Sequence, residues 1–386
     1  MLTKPYIRIG ILTLVHLVVD FYVGITTPLV EPTLINHLGV NLFYVMIIIS
    51  TTSICINAIQ PLSGFFMPKK GVPIILLFAP IFAGTTTLIG LTNNYFIVFA
   101  LMIQSAFWVG IMHPEAVLTV QSLSKNSTFA TSVFISGGFF GFSFGSFVGA
   151  KWAQDIGIDS MWILIIPGFI VSALIFFSKL HKYKANHSEN LEGDSSGEIP
   201  FLLVFALAVF IAVTFSLFSR FIPVYIVRSF GDKAQIWGGT TLFAIGLTGA
   251  LSSYLWSYLS KRTGKGVIII AAYALGLPFI YFLKSINLPS NIPYWGIGAG
   301  FFLAGIFPLS VAMSRNSKGG TPRMRAGLCI GGAWGTGALV VIACSKYIDA
   351  FPAKSIIPLN HIINLCFITI PIVIILAAII AKKEKK

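Results

Sequence analysis

Apolar residues run along the chain in twelve blocks, at 6–30, 42–64, 72–91, 95–121, 128–150, 161–178, 200–229, 237–257, 267–285, 294–313, 325–345 and 357–381. Each block is close to the ~20 residues that a tilted helix needs to cross a hydrocarbon core. Polar residues are confined to short connections, with one exception. The stretch 178–199 is rich in Lys, His, Glu, Asp and Ser and has the composition of a flexible linker. The pattern predicts an all-α integral membrane protein of twelve transmembrane helices, with one six-helix bundle over 1–177, a linker over 178–199 and a second six-helix bundle over 200–386.

Composition agrees with the blocks. Hydrophobic residues make up 56% of the 386 residues, charged residues 10%, and mean hydropathy is +0.88; a soluble domain carries about 25% charged residues. The net charge of +14 would suit a nucleic-acid partner, but the basic residues are scattered over short loops and form no basic domain, so no such partner is expected. Their distribution speaks of topology instead. Nineteen of the 26 Lys and Arg fall on the side of the termini and six on the other, which predicts cytoplasmic termini and a cytoplasmic linker. Cys55, Cys329, Cys344 and Cys366 lie in apolar blocks without paired spacing, so neither a disulfide framework nor a cysteine metal site is expected. The first block lacks an early small-residue cleavage site and is read as an uncleaved span.

The two halves repeat. Gly110-Ile111 followed by Pro114 recurs as Gly305-Ile306 followed by Pro308, Gly137-Gly138-x-x-Gly141 as Gly331-Gly332-x-x-Gly335, and Pro28 as Pro223, always 194 or 195 residues apart. With an even number of spans in each half, the copies share one orientation and are related by an axis along the membrane normal, as in the halves of a major facilitator transporter. The loops Gly64–Gly71 and Ser257–Lys265 resemble the superfamily's pattern Gly-x-x-x-Asp-Arg-x-Gly-Arg/Lys, with Pro68 and Lys261 where the acid is usual.

Chemistry enters with a few ionisable residues inside apolar blocks. A charge near the bilayer centre costs roughly 2.5–3.5 kcal/mol on insertion scales, so such a residue faces protein or a wet cavity and has a partner. His16 and Asp20, four apart, share a helix face. His113 and Glu115 lie in the fourth block, and Asp20 and Glu115 are the two acids placed within spans. All four are expected to carry protons: a carboxylate beside an imidazole can change protonation as access changes. Arg220 is placed to pair with Asp20, to hold an anionic substrate or to reach the surface, while Gln104 and Trp108 would add a hydrogen bond and an aromatic wall to a substrate site. The glycines at 137, 141, 145 and 149 form one small-residue stripe, suited to close helix packing and also to a hinge surface between the halves.

His16-x-x-x-Asp20 followed by Tyr22, the tripeptide His113-Pro114-Glu115 and the Gly- and Ser-rich fifth block resemble the fosmidomycin-resistance group of the major facilitator superfamily. That resemblance implies a bacterial cytoplasmic (inner) membrane protein whose first, fourth, seventh and tenth helices line a central cavity. It also implies export of a small polar or amphiphilic compound in exchange for protons, with no cofactor and a monomeric chain. Two rival readings stand beside it. One is a proton-coupled importer of a metabolite or siderophore-like chelate. The other is an intramembrane zinc enzyme using His16, Asp20, His113 and Glu115, although His113 and Glu115, two apart on a helix, point about 160° from each other.

Overall fold

The computed structural model describes residues 3–66, 71–124, 127–183, 198–315, 317–319 and 322–384. The first half runs through α1 (Pro5–Leu38), α2 (Leu42–Ser63), α3 (Ile74–Leu91), α4 (Tyr95–Leu123), α5 (Ala130–Asp155) and α6 (Ile158–Phe177). The second runs through α7 (Phe201–Phe230), α8 (Asp232–Thr263), α9 (Lys265–Tyr281), α10 (Pro289–Ser314), α11 (Leu328–Asp349) and α12 (Ile357–Glu384). Eleven of these are long and apolar enough to span a bilayer; α9 is shorter and is continued by a tight turn, Phe282–Ser285. The predicted twelve blocks therefore all form helices. Large apolar side chains such as Phe96, Ile170, Phe177, Leu202, Tyr294 and Ile368 stand exposed on the perimeter, where lipid rather than water solvates them.

The repeat has a packing cause. Gly110 sets α4 against Ile56 and Ile59 of α2, and Gly305 sets α10 against Gly249 and Ser252 of α8. Likewise α5 lies on α1, and α11 lies on Phe205, Ala212 and Ser216 of α7. The stripe in α5 is the tightest of these contacts: a Cβ at 137, 141, 145 or 149 would run into the carbonyl oxygen of Thr13, Leu17, Phe21 or Ile25, one turn of α1 after another. The stripe thus packs α5 onto α1 within the first half; it is not the surface between the halves. Across that surface Gly246 meets Ser143, Gly239 meets Ser146 and Ala150, and Gly331 meets the carbonyl of Asn57.

The halves touch at both ends of the interface. On the side of the termini the Tyr254 hydroxyl donates to the Ser132 carbonyl at 3.0 Å. On the opposite side Gln235 bonds the Pro28 carbonyl and Thr33, and the backbone N–H of Ile236 donates to Gln154 at 3.2 Å. The start of the 178–199 stretch is pinned, since Arg8 donates to the Ser178 carbonyl at 2.9 and 3.2 Å. Its end is pinned as well: Ile199 and Phe201 exchange backbone bonds with Lys318 at 2.8 and 2.9 Å. The middle of that stretch, 184–197, lies outside the described residues, as do Pro68, Lys69 and Lys70 of the first patterned loop. In the second, α8 carries Lys261 and Arg262 to its exposed end, and Gly264 turns the chain at φ +90°.

Candidate functional site

Three of the residues singled out above meet in the first half. His16 and Asp20 stand one turn apart on α1, with His16 Nε2 3.2 Å from Asp20 Oδ2. Pro114 has no N–H to bond the turn before it, and His113, beside it on α4, puts its Nε2 3.3 Å from Asp20 Oδ1. The two Nε2 atoms are 3.0 Å apart. Space for the cluster depends on Gly138 of α5, where a Cβ would collide with both His16 Nε2 and Asp20 Oδ2. The side chains of His16, Asp20 and His113 are 7%, 21% and 17% exposed.

The other ring nitrogens decide the protonation. His16 Nδ1 is 2.8 Å from the Phe134 carbonyl of α5, and His113 Nδ1 is 2.7 Å from the Val109 carbonyl of its own helix. A carbonyl only accepts, so each Nδ1 carries the hydrogen, and a neutral ring then presents a lone pair at Nε2. Two lone pairs at 3.0 Å, both beside a carboxylate, repel. One proton between the Nε2 atoms removes that conflict, makes one ring an imidazolium and leaves the cluster neutral with Asp20 ionised.

The remaining expected residues lie elsewhere. Glu115 is 1% exposed and accepts from the Val72 backbone N–H at 2.8 Å, with Gly71 tight against its carboxylate at φ +68°; it holds the chain between α2 and α3 and does not join Asp20. Arg220 of α7 does not pair with Asp20 either. Its Nη1 donates to Thr27 Oγ1 at 2.8 Å. Gln104 accepts from Thr85, and Trp108 stacks on Phe82 at 4.7 Å, so both bind α4 to α3. Tyr22 bridges α1 to α6, donating to the Ile165 carbonyl at 3.0 Å and accepting from Gly168 N–H at 2.8 Å.

A further buried acid lies at the end of α1. Glu31, at the kink in the Pro5–Leu38 span where its backbone leaves helical geometry (φ −133°, ψ 133°), bonds Arg228 of α7 at 2.9 Å, and the two side chains are 5% and 6% exposed. Arg228 also donates to the Ser355 carbonyl at 3.0 Å. The apolar block ends at residue 30, which puts Glu31 outside it, and Arg228 reads as one more loop charge. The pair therefore corrects the expectation of two acids within spans. An acid and an arginine just beyond the repeated Pro28 and Pro223 were the signal in the sequence.

A family model described as Major Facilitator Superfamily matches residues 12–336. The chain belongs to the major facilitator superfamily. Among curated members, the multi-drug resistance efflux pump PmrA of Streptococcus pneumoniae is 22% identical over 332 residues, covering 80% of this chain and 82% of that one. The uncharacterized MFS-type transporter YfnC of Bacillus subtilis is 22% identical over 370 residues, covering 90% and 88%. Two solved superfamily structures share the fold. A mutant of the nucleoside transporter NupG aligns with TM-score 0.72 at 12% identity, over 97% of this chain and 99% of that one. A bacterial homologue of the human lysosomal transporter Spinster, inward-facing and unoccupied, aligns with TM-score 0.73 at 14% identity, over 98% and 97%. A major facilitator protein is a membrane transporter and not an enzyme. The donor atoms of His16, Asp20 and His113 do converge within 4.8 Å, but Glu115, the fourth ligand of the zinc reading, is turned to the α2–α3 connection.

Proposed function

We propose that this superfamily member is a proton-coupled exporter of small polar or amphiphilic compounds, of the fosmidomycin-resistance type, in a bacterial cytoplasmic membrane with both termini and the 178–199 linker in the cytoplasm. One observation carries the coupling: both Nδ1 atoms of the His16–His113 pair face carbonyls, so their Nε2 lone pairs need a proton between them beside Asp20. Protonated, the cluster is neutral; deprotonated, it is an anion with opposed lone pairs. A site that alternates between two sides can load the proton where it is abundant and release it where it is scarce. The efflux direction follows PmrA, an efflux pump. Phe215, Phe307 and Trp334 of the second half, with rings 4.9 and 5.6 Å apart, offer an aromatic wall to the apolar part of the cargo.

Glu115 takes a different part in this reading, as the anchor of the α2–α3 connection. Purified protein in vesicles containing a pH-sensitive dye tests the assignment. Asp20→Asn is expected to lose proton movement on addition of substrate, whereas Glu115→Gln keeps it at a reduced rate. Proton movement that survives in Asp20→Asn and vanishes in Glu115→Gln would overturn the reading.

A further inference from the structure

Arg220 is the charge in the membrane interior that the coupling cluster leaves unexplained. It is the twentieth residue of the 30-residue helix Phe201–Phe230, and its guanidinium crosses the interface between the halves to reach Thr27 on α1. The side chain is thus turned to the protein and not to the perimeter. Three sheltered acids of the spans have partners other than Arg220: Asp20 holds the two histidines, Glu31 holds Arg228 and Glu115 accepts from Val72. Among the described residues no carboxylate lies within ion-pair distance of Arg220, and its bond to the Thr27 hydroxyl is its one hydrogen bond. Four of the five N–H donors of the planar fork are left over.

Arg220 is also in register with the proton site. Asp20 and Thr27 are seven residues apart on α1, which places them about 20° apart round the helix and about 10 Å apart along it. A small molecule can therefore touch Arg220 while it faces Asp20. A fixed guanidinium without a counter-ion, in a region poor in water, selects a planar or tetrahedral oxyanion that two N–H groups can grip together.

We infer that Arg220 and Thr27 form the subsite for an anionic group of the cargo, a carboxylate, phosphate, phosphonate or sulfonate. The inference rests on the transporter reading and narrows its substrate class to anions. Thr27, itself buried, steadies the Arg220 fork through its hydroxyl oxygen. The aromatic wall of the second half is left for the cargo's apolar body.

Tryptophan fluorescence of the full-length detergent-solubilised protein, titrated with a matched series of benzoate, phenylphosphonate, benzamide and benzamidine, tests this. Both anions are expected to bind, with benzamide and benzamidine weaker on the order of tenfold or more, about the value of one charge-assisted contact. Arg220→Gln should erase the preference for anions, and Arg220→Lys, which keeps the charge and loses the fork, should retain part of it. If Arg220→Gln does not fold, the charge series on the wild-type protein decides alone. Equal binding across the series, a preference for benzamidine, or no response to either anion would overturn the subsite. The coupling reading fails separately: Asp20→Asn is expected to keep anion binding and lose proton movement, so loss of one result leaves the other standing.

Discussion

Asp20 and Glu31 are two sheltered carboxylates in one membrane span, and their partners set them apart. Asp20 faces two imidazoles, groups that gain and lose charge in the physiological range. Glu31 faces a guanidinium, which keeps its charge throughout. On the proposed coupling, the first site alters its charge without moving. The second keeps its charge and can only be parted. Parting it is costly, because two charges with 5% and 6% exposure would have to be rehydrated. Glu31–Arg228 joins the first and second halves on the side away from the termini, so its making and breaking follow the opening of that side, while the Asp20 cluster lies wholly within the first half. On the proposed function, one span carries a site for chemical change and a site for mechanical change.

Six variants test that division, in descending order of expected effect. His113→Arg gives Asp20 a permanent cation, and substrate-driven proton movement in vesicles should fall to background at every pH, since the cluster can no longer release its charge. Gly138→Ala drives a methyl into His16 and Asp20 and should remove most coupled transport, whereas Gly335→Ala, with open space around it, should leave the rate near wild type. Glu31→Gln strands Arg228 in a buried site, and thermal unfolding should report a loss of about 3–5 kcal/mol. The double variant Glu31→Leu with Arg228→Met should recover most of that loss; a double variant as unstable as the single one would show that packing, not charge, holds this contact. Finally, Arg228→His turns the fixed pair into a titratable one. The imidazolium holds Glu31 at low pH and lets go as pH rises through the histidine range. Cross-linking of cysteines placed on either side of this contact should then decline by a few-fold from acid to alkaline pH, with the wild type flat over the same interval.

Most of the architecture was legible in the sequence because the bilayer enforces it. The twelve apolar blocks, the repeat at 194 or 195 residues and the His16–Asp20 pairing follow from helix length and helix period. His113 joining that pair depends on two helices meeting 97 residues apart, and no period encodes such a meeting. Glu115 was equally conspicuous in the sequence, yet its neighbour two residues back takes the cluster and Glu115 takes the opposite direction, toward Val72. Arg220 and Arg228 were both visible as charges. Only the path of α7 beside α1 tells that one ends at a hydroxyl and the other at a carboxylate.

The glycine stripe of α5 has a bearing on proton traffic as well as on packing. Because a Cβ at any of the four positions would strike an α1 carbonyl, the two helices are splinted along four turns and must travel together whenever the protein changes shape. The Phe134 carbonyl therefore accompanies His16 through the whole cycle, and the Nδ1 side of that ring never becomes an exit. A histidine with one nitrogen sealed in this way cannot relay a proton from edge to edge. On the proposed coupling it works as a turnstile with a single arm, and a proton bound at His16 comes and goes by the edge that faces Asp20 and His113.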